Sequence, residues 1–580
     1  MAKKLGLSFL LFSFLAVFFQ NCGQNGFGVK SPPTSDFASS SSTDDPLFLY
    51  AWHLNNTGQK VFSQSTGVAG IDMGLQQAWN AGIYGEGINI LVSDDGVDYK
   101  HEDLEANFAK TKEFRDYLVT DWLSYTAIPA DADFHGTSVS GLIASVGWNG
   151  KGSIGVAPKA KLLATNFMSN DVTKSSDVIA DQAKGTVDIV NMSWGYSQSN
   201  YTSIDPSFSS QLRFGVDNGR SGKGTIYVRS AGNARLELIT RSINDYRLGS
   251  ANFDGNNVTP YTINVGAIFS NGKNAYYSSP GPSLWISGPG GEDGTTSPAM
   301  VTTDRIGCTL GYANQSVSAT TAAIGSGFQK GSNGNTGCNY TATFNGTSSA
   351  APNVTGGIAL LLQAYPKLTW RDVKYILAKT ALKAQADLDQ SENYLYQKNS
   401  TRFANHKSPT GYVWDDGWVI NDAGFNFNNL FGFGIINVDA AIAFAKTYTT
   451  LFSGLLTEKD YQSTGLSLAV PDFNKDGVTN TISVTDDVRI ESIQIEVSVS
   501  HANAGELAVE LISPNNKRSV LVHMNNSLDG TTNMTAYKFL TNKFYFESSL
   551  GDWKIKIIDG RSGNSGTLTA WKLKIAGQLQ

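Results

Sequence analysis

The sequence predicts a doubly wound α/β domain with a mainly parallel sheet, followed by an all-β sandwich. Three observations lead there. The apolar runs INILVS (88–93), KLLATNF (161–167), VDIVNMSW (187–194) and GTIYVRSAG (224–232) are continuous, not alternating, as in parallel strands covered on both faces. Helical stretches lie between and after such runs, SVSGLIASV and IALLLQAYPKLTWRDVKYILAKTAL among them, and strands that alternate with helices make a doubly wound sheet. Beyond about residue 450 the helical signal ends and short alternating runs take over.

Taken in chain order, the 580 residues divide into four segments. Residues 1–21 read as a signal peptide: Lys3 and Lys4 precede LGLSFLLFSFLAVFF, an apolar run short for a membrane span. Residues 22–44 read as a tether, because SPPTSDFASSSSTDD is dominated by Ser, Thr, Asp and Pro. Residues 45–450 carry the α/β pattern. Residues 451–580 carry the sandwich pattern, in the runs ISVT, IESIQIEVSVS, LAVELIS, RSVLVHM, WKIKIID and AWKLKIAG. Charged residues make up 16% and the net charge is −6, with no basic run, which argues against a nucleic-acid partner. Zinc-type Cys/His spacings are absent from the sequence.

Three local motifs carry chemistry. ILVSDDGVDYKHEDL sets Asp94 at the end of an apolar strand, FHGTSVSGLIAS sets His135 at a helix start, and FNGTSSAAPNVTGG sets Ser348 at another. Serine-based acyl transfer needs a nucleophile, a base to take its proton and a carboxylate to orient that base. Singly, each residue has a structural explanation: Ser348 as a helix N-cap, His135 as a core histidine, Asp94 as a turn former.

Jointly, these motifs resemble subtilases of the kexin/furin branch, in which the chain order is Asp, His, Ser. DPLFLYAWHLNN (45–56), VNMSWG (190–195) and WDDGWVINDAGFNFNNLFGFGIINVDAA (414–441) resemble that branch as well. The resemblance implies a subtilisin-like fold and a serine endopeptidase acting on polypeptides. It casts Ser348 as nucleophile, His135 as general base and Asp94 as its orienting carboxylate. Asn233 in RSAGNA matches the oxyanion asparagine. Ser193, Trp194 and Gly195 match the strand that pairs with an extended substrate. Asp95, the second Asp of DDG, and Asp254 in SANFDGNNV match carboxylates that face basic residues before the scissile bond. Tyr196, Ser197 and Gln198 stand where the branch has acidic residues, so dibasic cleavage is an expectation carried by Asp95 and Asp254 alone.

The same resemblance implies a structural calcium held by Asp45, Asp103 and the Asn149 side chain, with the carbonyls of Val146, Lys151 and Ser153. The EF-hand-like PDFNKDGVTN (471–480) lacks a twelfth-position glutamate and reads as a loop between strands. The last 130 residues resemble the P domain that follows kexin-type catalytic domains, with Trp553 and Trp571 in its core. Gln20-Asn21-Cys22-Gly23 resembles a bacterial lipoprotein signal, which implies a lipid on Cys22, a membrane tether and an exported, envelope-bound monomer; without the lipid the protein is secreted. Lipidation leaves Cys308 and Cys338 as an even pair, and export favours a bridge between them, two buried thiols being the alternative. The span from Cys22 to Asp45 leaves no room for a folding propeptide, so a chain starting near Asp45 is expected to be active without trimming. The rival class is a non-catalytic adhesin on a protease scaffold.

Overall fold

The structure is a computed structural model that describes residues 45–109, 128–169, 185–195, 200–238, 246–313, 328–329, 331, 334–384 and 408–580. The expected signal segment, tether and lipidated Cys22 lie outside these residues, as do Tyr196, Ser197 and Gln198.

Six parallel strands form the central sheet, in the order Lys161–Thr165, Asn89–Ser93, Ile189–Met192, Ile226–Ser230, Thr262–Ile268 and Ile286–Pro289. Every residue of Ile189–Met192, Ile226–Ser230 and Thr262–Ile268 is buried. That is the physical reason their sequences do not alternate: both faces need apolar cover. The helices His135–Ala144 and Thr347–Ala364 pack on each other and against this sheet.

The long helical stretch at 358–382 is not one helix. Thr347–Ala364 ends before Pro366, whose ring cannot continue the helical hydrogen bonding. Trp370–Thr380 then restarts on a reciprocal cap: the Thr369 hydroxyl accepts from Asp372 N, and the Asp372 carboxylate accepts from Thr369 N.

Two antiparallel sheets follow. One runs Thr457–Ser463, Gly566–Leu579, Val488–Ser500, Met534–Thr541, with Leu468–Val470 also paired to Gly566–Leu579. The other runs Val478–Val484, Gly551–Asp559, Leu507–Ile512, Arg518–Val522. Trp553 and Trp571 are buried in the core between them. Each indole N–H has an acceptor, Ser549 O and Asn480 Oδ1, both at 2.8 Å. The EF-hand-like segment is a loop up to the strand Val478–Val484, and in it Asp472 accepts from Gly563 N.

The two parts share core. Phe253 joins the sandwich cluster, and a second cluster joins Leu248, Ile268, Leu430 and Phe431 to Ala508, Met524 and Ile558. A disulfide joins Cys308 and Cys338.

Candidate active site

Asp94 leaves the C-terminal end of Asn89–Ser93, where a parallel sheet opens a crevice for ligands. Its side chain is wholly buried. Oδ1 accepts from His135 Nδ1 at 2.9 Å and from Asp95 N at 2.9 Å. Oδ2 is buried with no hydrogen bond among the described residues. His135 opens its helix. Burial alone would lower its pKa, but the Asp94 carboxylate, by charge and by hydrogen bond, and Asp95 beyond it raise it to about 8.

Asp95 anchors the histidine helix. Its carboxylate accepts from the first helical amides: Phe134 N at 3.1 Å, His135 N at 3.0 Å and Gly136 N at 2.7 Å. These are N–H groups that a helix start leaves without intrahelical acceptors. Burial and the neighbouring Asp94 charge push Asp95 up to about 7, against the pull of His135 and the amides. Asp95, expected to face a basic substrate residue, thus also holds the backbone at the start of the histidine helix. Gly136 permits the close fit, since a Cβ there would meet Gly96 O at 2.3 Å.

Ser348 is the second residue of Thr347–Ala364. The N-cap is Gly346, at φ +101°, which has no side chain with which to cap the helix. The N-cap explanation for Ser348 therefore fails, and its hydroxyl is free for other bonds. Ser348 Oγ donates to Ser193 O at 3.1 Å, and Ser193 Oγ donates back to Ser348 O at 2.9 Å. Asn191 donates to Ser193 Oγ at 2.9 Å and itself accepts from Thr355 of the serine helix at 3.0 Å. Phe344, just before that helix, meets the His135 ring edge-on with centroids 5.4 Å apart. Asp94 and His135 are thus in direct contact, with Ser348 on the adjoining helix.

Asn233 sits opposite the serine helix start. Its Oδ1 accepts from Thr347 N and Thr347 Oγ1, both at 2.9 Å. That fixes the amide plane and leaves Nδ2 without a hydrogen bond among the described residues. Gly346 makes room, since a Cβ there would lie 3.1 Å from Nδ2. Trp194 is half-buried and Gly195 exposed, as an edge segment open to an extended peptide requires.

Asp254 is not an open carboxylate. It is wholly buried and its Oδ2 accepts from Arg229 Nη2 at 2.7 Å; Oδ1 accepts from Asn256 N at 3.0 Å. The carboxylate expected to face a basic substrate residue is therefore paired with an internal counter-ion. Arg229 was missed although it lies inside RSAGNA; a lone arginine ending an apolar strand was the available signal.

Three of the residues expected to hold calcium, Asp45, Asp103 and Asn149, are linked by hydrogen bonds. Asp45 Oδ1 accepts from Asn149 N at 2.9 Å and Gly150 N at 2.8 Å, and Oδ2 from Trp148 N at 2.5 Å. Asn149 Nδ2 donates to Asp103 Oδ1 at 2.8 Å, while Asp103 Oδ2 is buried with no well-formed hydrogen bond among the described residues. Burial pushes Asp103 up to about 8, opposed by the Asn149 bond and reinforced by Asp45. Val146, Lys151 and Ser153 lie on the same loop, and Val146 N donates to Asp103 O at 2.8 Å. Asn149 presents its N–H groups to Asp103 and its oxygen to Lys151 N at 2.9 Å, so ligation by that oxygen requires the amide reversed.

A subtilisin-like α/β domain bearing an Asp–His pair beside a helix-borne serine, joined to an antiparallel sandwich, is the class that fold and site define. Residues 85–434 match the subtilase family, and residues 490–575 the proprotein convertase P-domain. The Aeromonas extracellular serine protease of Aeromonas sobria is 32% identical over 90% of this chain and 85% of its own length. Neuroendocrine convertase 2 of Homo sapiens is 26% identical over 92% and 74%. The solved structure of Aeromonas sobria serine protease with its chaperone aligns with a TM-score of 0.79 at 29% identity, covering 93% of this chain and 96% of that one. The chain belongs to the subtilase family, as a serine-type endopeptidase of the kexin/furin-type branch with a P domain.

Proposed function

We propose that this chain hydrolyses peptide bonds of polypeptides through an acyl-enzyme formed on Ser348. The carrying observation is the 2.9 Å bond from His135 Nδ1 to a wholly buried Asp94. That bond fixes the tautomer that leaves Nε2 as the proton acceptor. Ser348 Oγ turns from Ser193 O, attacks the scissile carbonyl carbon and gives its proton to His135. The oxygen that gains charge is met by Asn233 Nδ2, already oriented by Thr347, and by the positive end of the serine-helix dipole. Collapse expels the amine, which leaves with the proton from His135. Water, deprotonated by His135, then attacks the acyl carbon and frees the acid and Ser348. Ser193–Gly195 holds the peptide by strand addition.

A calcium ion fits the site at Asp45 and Asp103: a buried Asp103 oxygen with no well-formed hydrogen bond among the described residues stands beside a second carboxylate. Asp45, Asp103 and, once reversed, the Asn149 amide would hold it, with the carbonyls of Val146, Lys151 and Ser153. When bound, it supplies charge compensation that ties the chain's start to the loop after the histidine helix. In this reading the protein is an exported monomer tethered by a lipid on Cys22, and a Cys22→Ala protein leaves the membrane fraction.

A fluorophosphonate probe tests the central claim. Labelling of the purified protein that vanishes in Ser348→Ala supports the enzyme; a wild-type chain that takes no label is the adhesin of the rival class.

A further inference from the structure

A buried ion pair backs the wall beneath Ser348. Arg229 is the penultimate residue of the strand Ile226–Ser230, shortly ahead of Asn233. Its Nη2 bonds Asp254 at 2.7 Å and its Nε bonds Asn257 Oδ1 at 2.9 Å. Its guanidinium lies 4.4 Å from the Trp194 ring centroid and 5.8 Å from that of Phe208. Trp194 follows the residue whose carbonyl receives the Ser348 hydroxyl, and Ser230 Oγ donates to Trp194 O at 3.4 Å. The pair therefore stands behind the two backbone segments, 193–195 and 230–232, that flank Ser348 and Asn233. Under the proposed strand addition along 193–195, the side chain before the scissile carbonyl enters between those segments.

Recognition of a lysine or arginine there needs a carboxylate with no other cation. Here Asp254 and Arg229 are each wholly buried, and the pair carries no net charge. Residues 196–204 contribute no carboxylate to replace it. Arg229 Nη1 is buried without a hydrogen bond among the described residues, so the unused polar atom is a donor on a cation. It repels a second cation and suits a neutral side chain, above all one ending in an acceptor oxygen.

We propose that Arg229 is the specificity-determining residue of this pocket: it occupies Asp254 from within, so the enzyme cleaves after neutral side chains and rejects Lys and Arg. The proposal rests on Ser348 being the nucleophile, and the test separates the two. The full chain is first labelled with a fluorophosphonate; absence of label defeats the serine reading and the pocket assignment with it. An unlabelled portion of the same preparation is then profiled on a peptide library and is expected to show Lys and Arg depleted before the scissile bond, and their enrichment overturns the proposal alone. Benzamidine, a small aromatic cation, is expected not to inhibit; competitive inhibition overturns the proposal without any variant. Arg229→Ala, or Arg229→Gln should the first not fold, uncovers Asp254 and is expected to raise cleavage after Arg relative to neutral residues by roughly a hundred-fold. A variant that labels normally but keeps the wild-type profile also overturns it. Arg229→Ala with Asp254→Asn is expected to lose the gain.

Discussion

His135 stands beside Asp94 and within the field of Asp95, and in the proposed mechanism its charge state controls the reaction. The two carboxylates lift it to about 8 although burial acts the other way. Protonated below that value, it has no lone pair for the Ser348 hydroxyl; above it, the base is neutral and competent. kcat/KM is therefore expected to climb ~10-fold per pH unit below the inflection and to level off above it. A stopped-rate pH profile with an inflection below about 6.5, the ordinary histidine value, would contradict this. Asp94→Asn removes the charge that raises His135 and permits the wrong tautomer. Its inflection moves to lower pH, and kcat falls by about 10⁴-fold, a magnitude carried over from another serine protease. Asp254 and Arg229 show what a single residue hides in a sequence. Asp254 followed by Gly255 has the form of an ordinary turn, and only the folded chain brings the arginine of Ile226–Ser230 to it.

Among the elements, the histidine helix depends on a residue outside it. Asp95 accepts three amide hydrogens at the helix start, one of them from His135 itself. Asp95→Ala is expected to cost about 1–2 kcal/mol of stability, seen by thermal unfolding, and to lower kcat for every substrate because the imidazole loses its seat. A loss confined to substrates with a basic residue before the scissile bond would instead mean that Asp95 faces substrate. The loop after the same helix joins Asp45 to Asp103, two crowded carboxylates that a divalent cation would relieve. Chelation with EGTA is expected to lower Tm. At a calcium concentration ~100 times Kd, binding contributes about 2.7 kcal/mol. Asp103→Asn should melt lower in calcium than wild type and respond little to the chelator; a wild-type Tm indifferent to EGTA rejects the site. Strand runs such as INILVS were legible because two-sided burial leaves continuous apolar sequence. Thr262–Ile268 and Ile286–Pro289 were not picked out, since Asn264, Gly266, Gly288 and Pro289 interrupt that signal while serving tertiary contacts. The helix boundary at Pro366 was readable from proline's geometry but was masked by the apolar residues on either side. Asp94, His135, Ser348 and Asn233 were legible as candidates because each sits in a short motif; their mutual distances were not, because a strand end, two helix starts and a loop come together only after the sheet forms.

At the scale of the whole molecule, the sandwich is bonded into the α/β part rather than appended to it. Asn252 shows this: its amide donates to Leu521 O and Leu540 O at 3.1 and 3.2 Å and accepts from Leu540 N at 3.0 Å. Arg371, on the helix Trp370–Thr380, grips Glu491 of the sandwich, with Nε 3.1 and 2.9 Å from its two oxygens and Nη2 also bonded. Both side chains are nearly excluded from water, at 3% and 8% exposure. Arg371 also donates to Gly454 O at 3.1 Å and lies 4.4 Å from the Phe452 ring centroid. Removing one member of such a pair strands the other charge in a low-dielectric interface. Arg371→Met is therefore expected to cost about 3–5 kcal/mol, more than a surface pair, whose median worth is about 0–1 kcal/mol. Adding Glu491→Leu removes the stranded carboxylate and is expected to recover most of the loss. Because the apolar clusters run across the junction, unfolding of the active enzyme should follow a single transition, and Ser348 labelling should vanish with it. Calorimetry of the full chain checks both statements. Two separate transitions, with labelling retained through the first, would show that the sandwich is dispensable to the catalytic half, and a single Arg371 variant within about 1 kcal/mol of wild type would show that the pair does not hold the halves together.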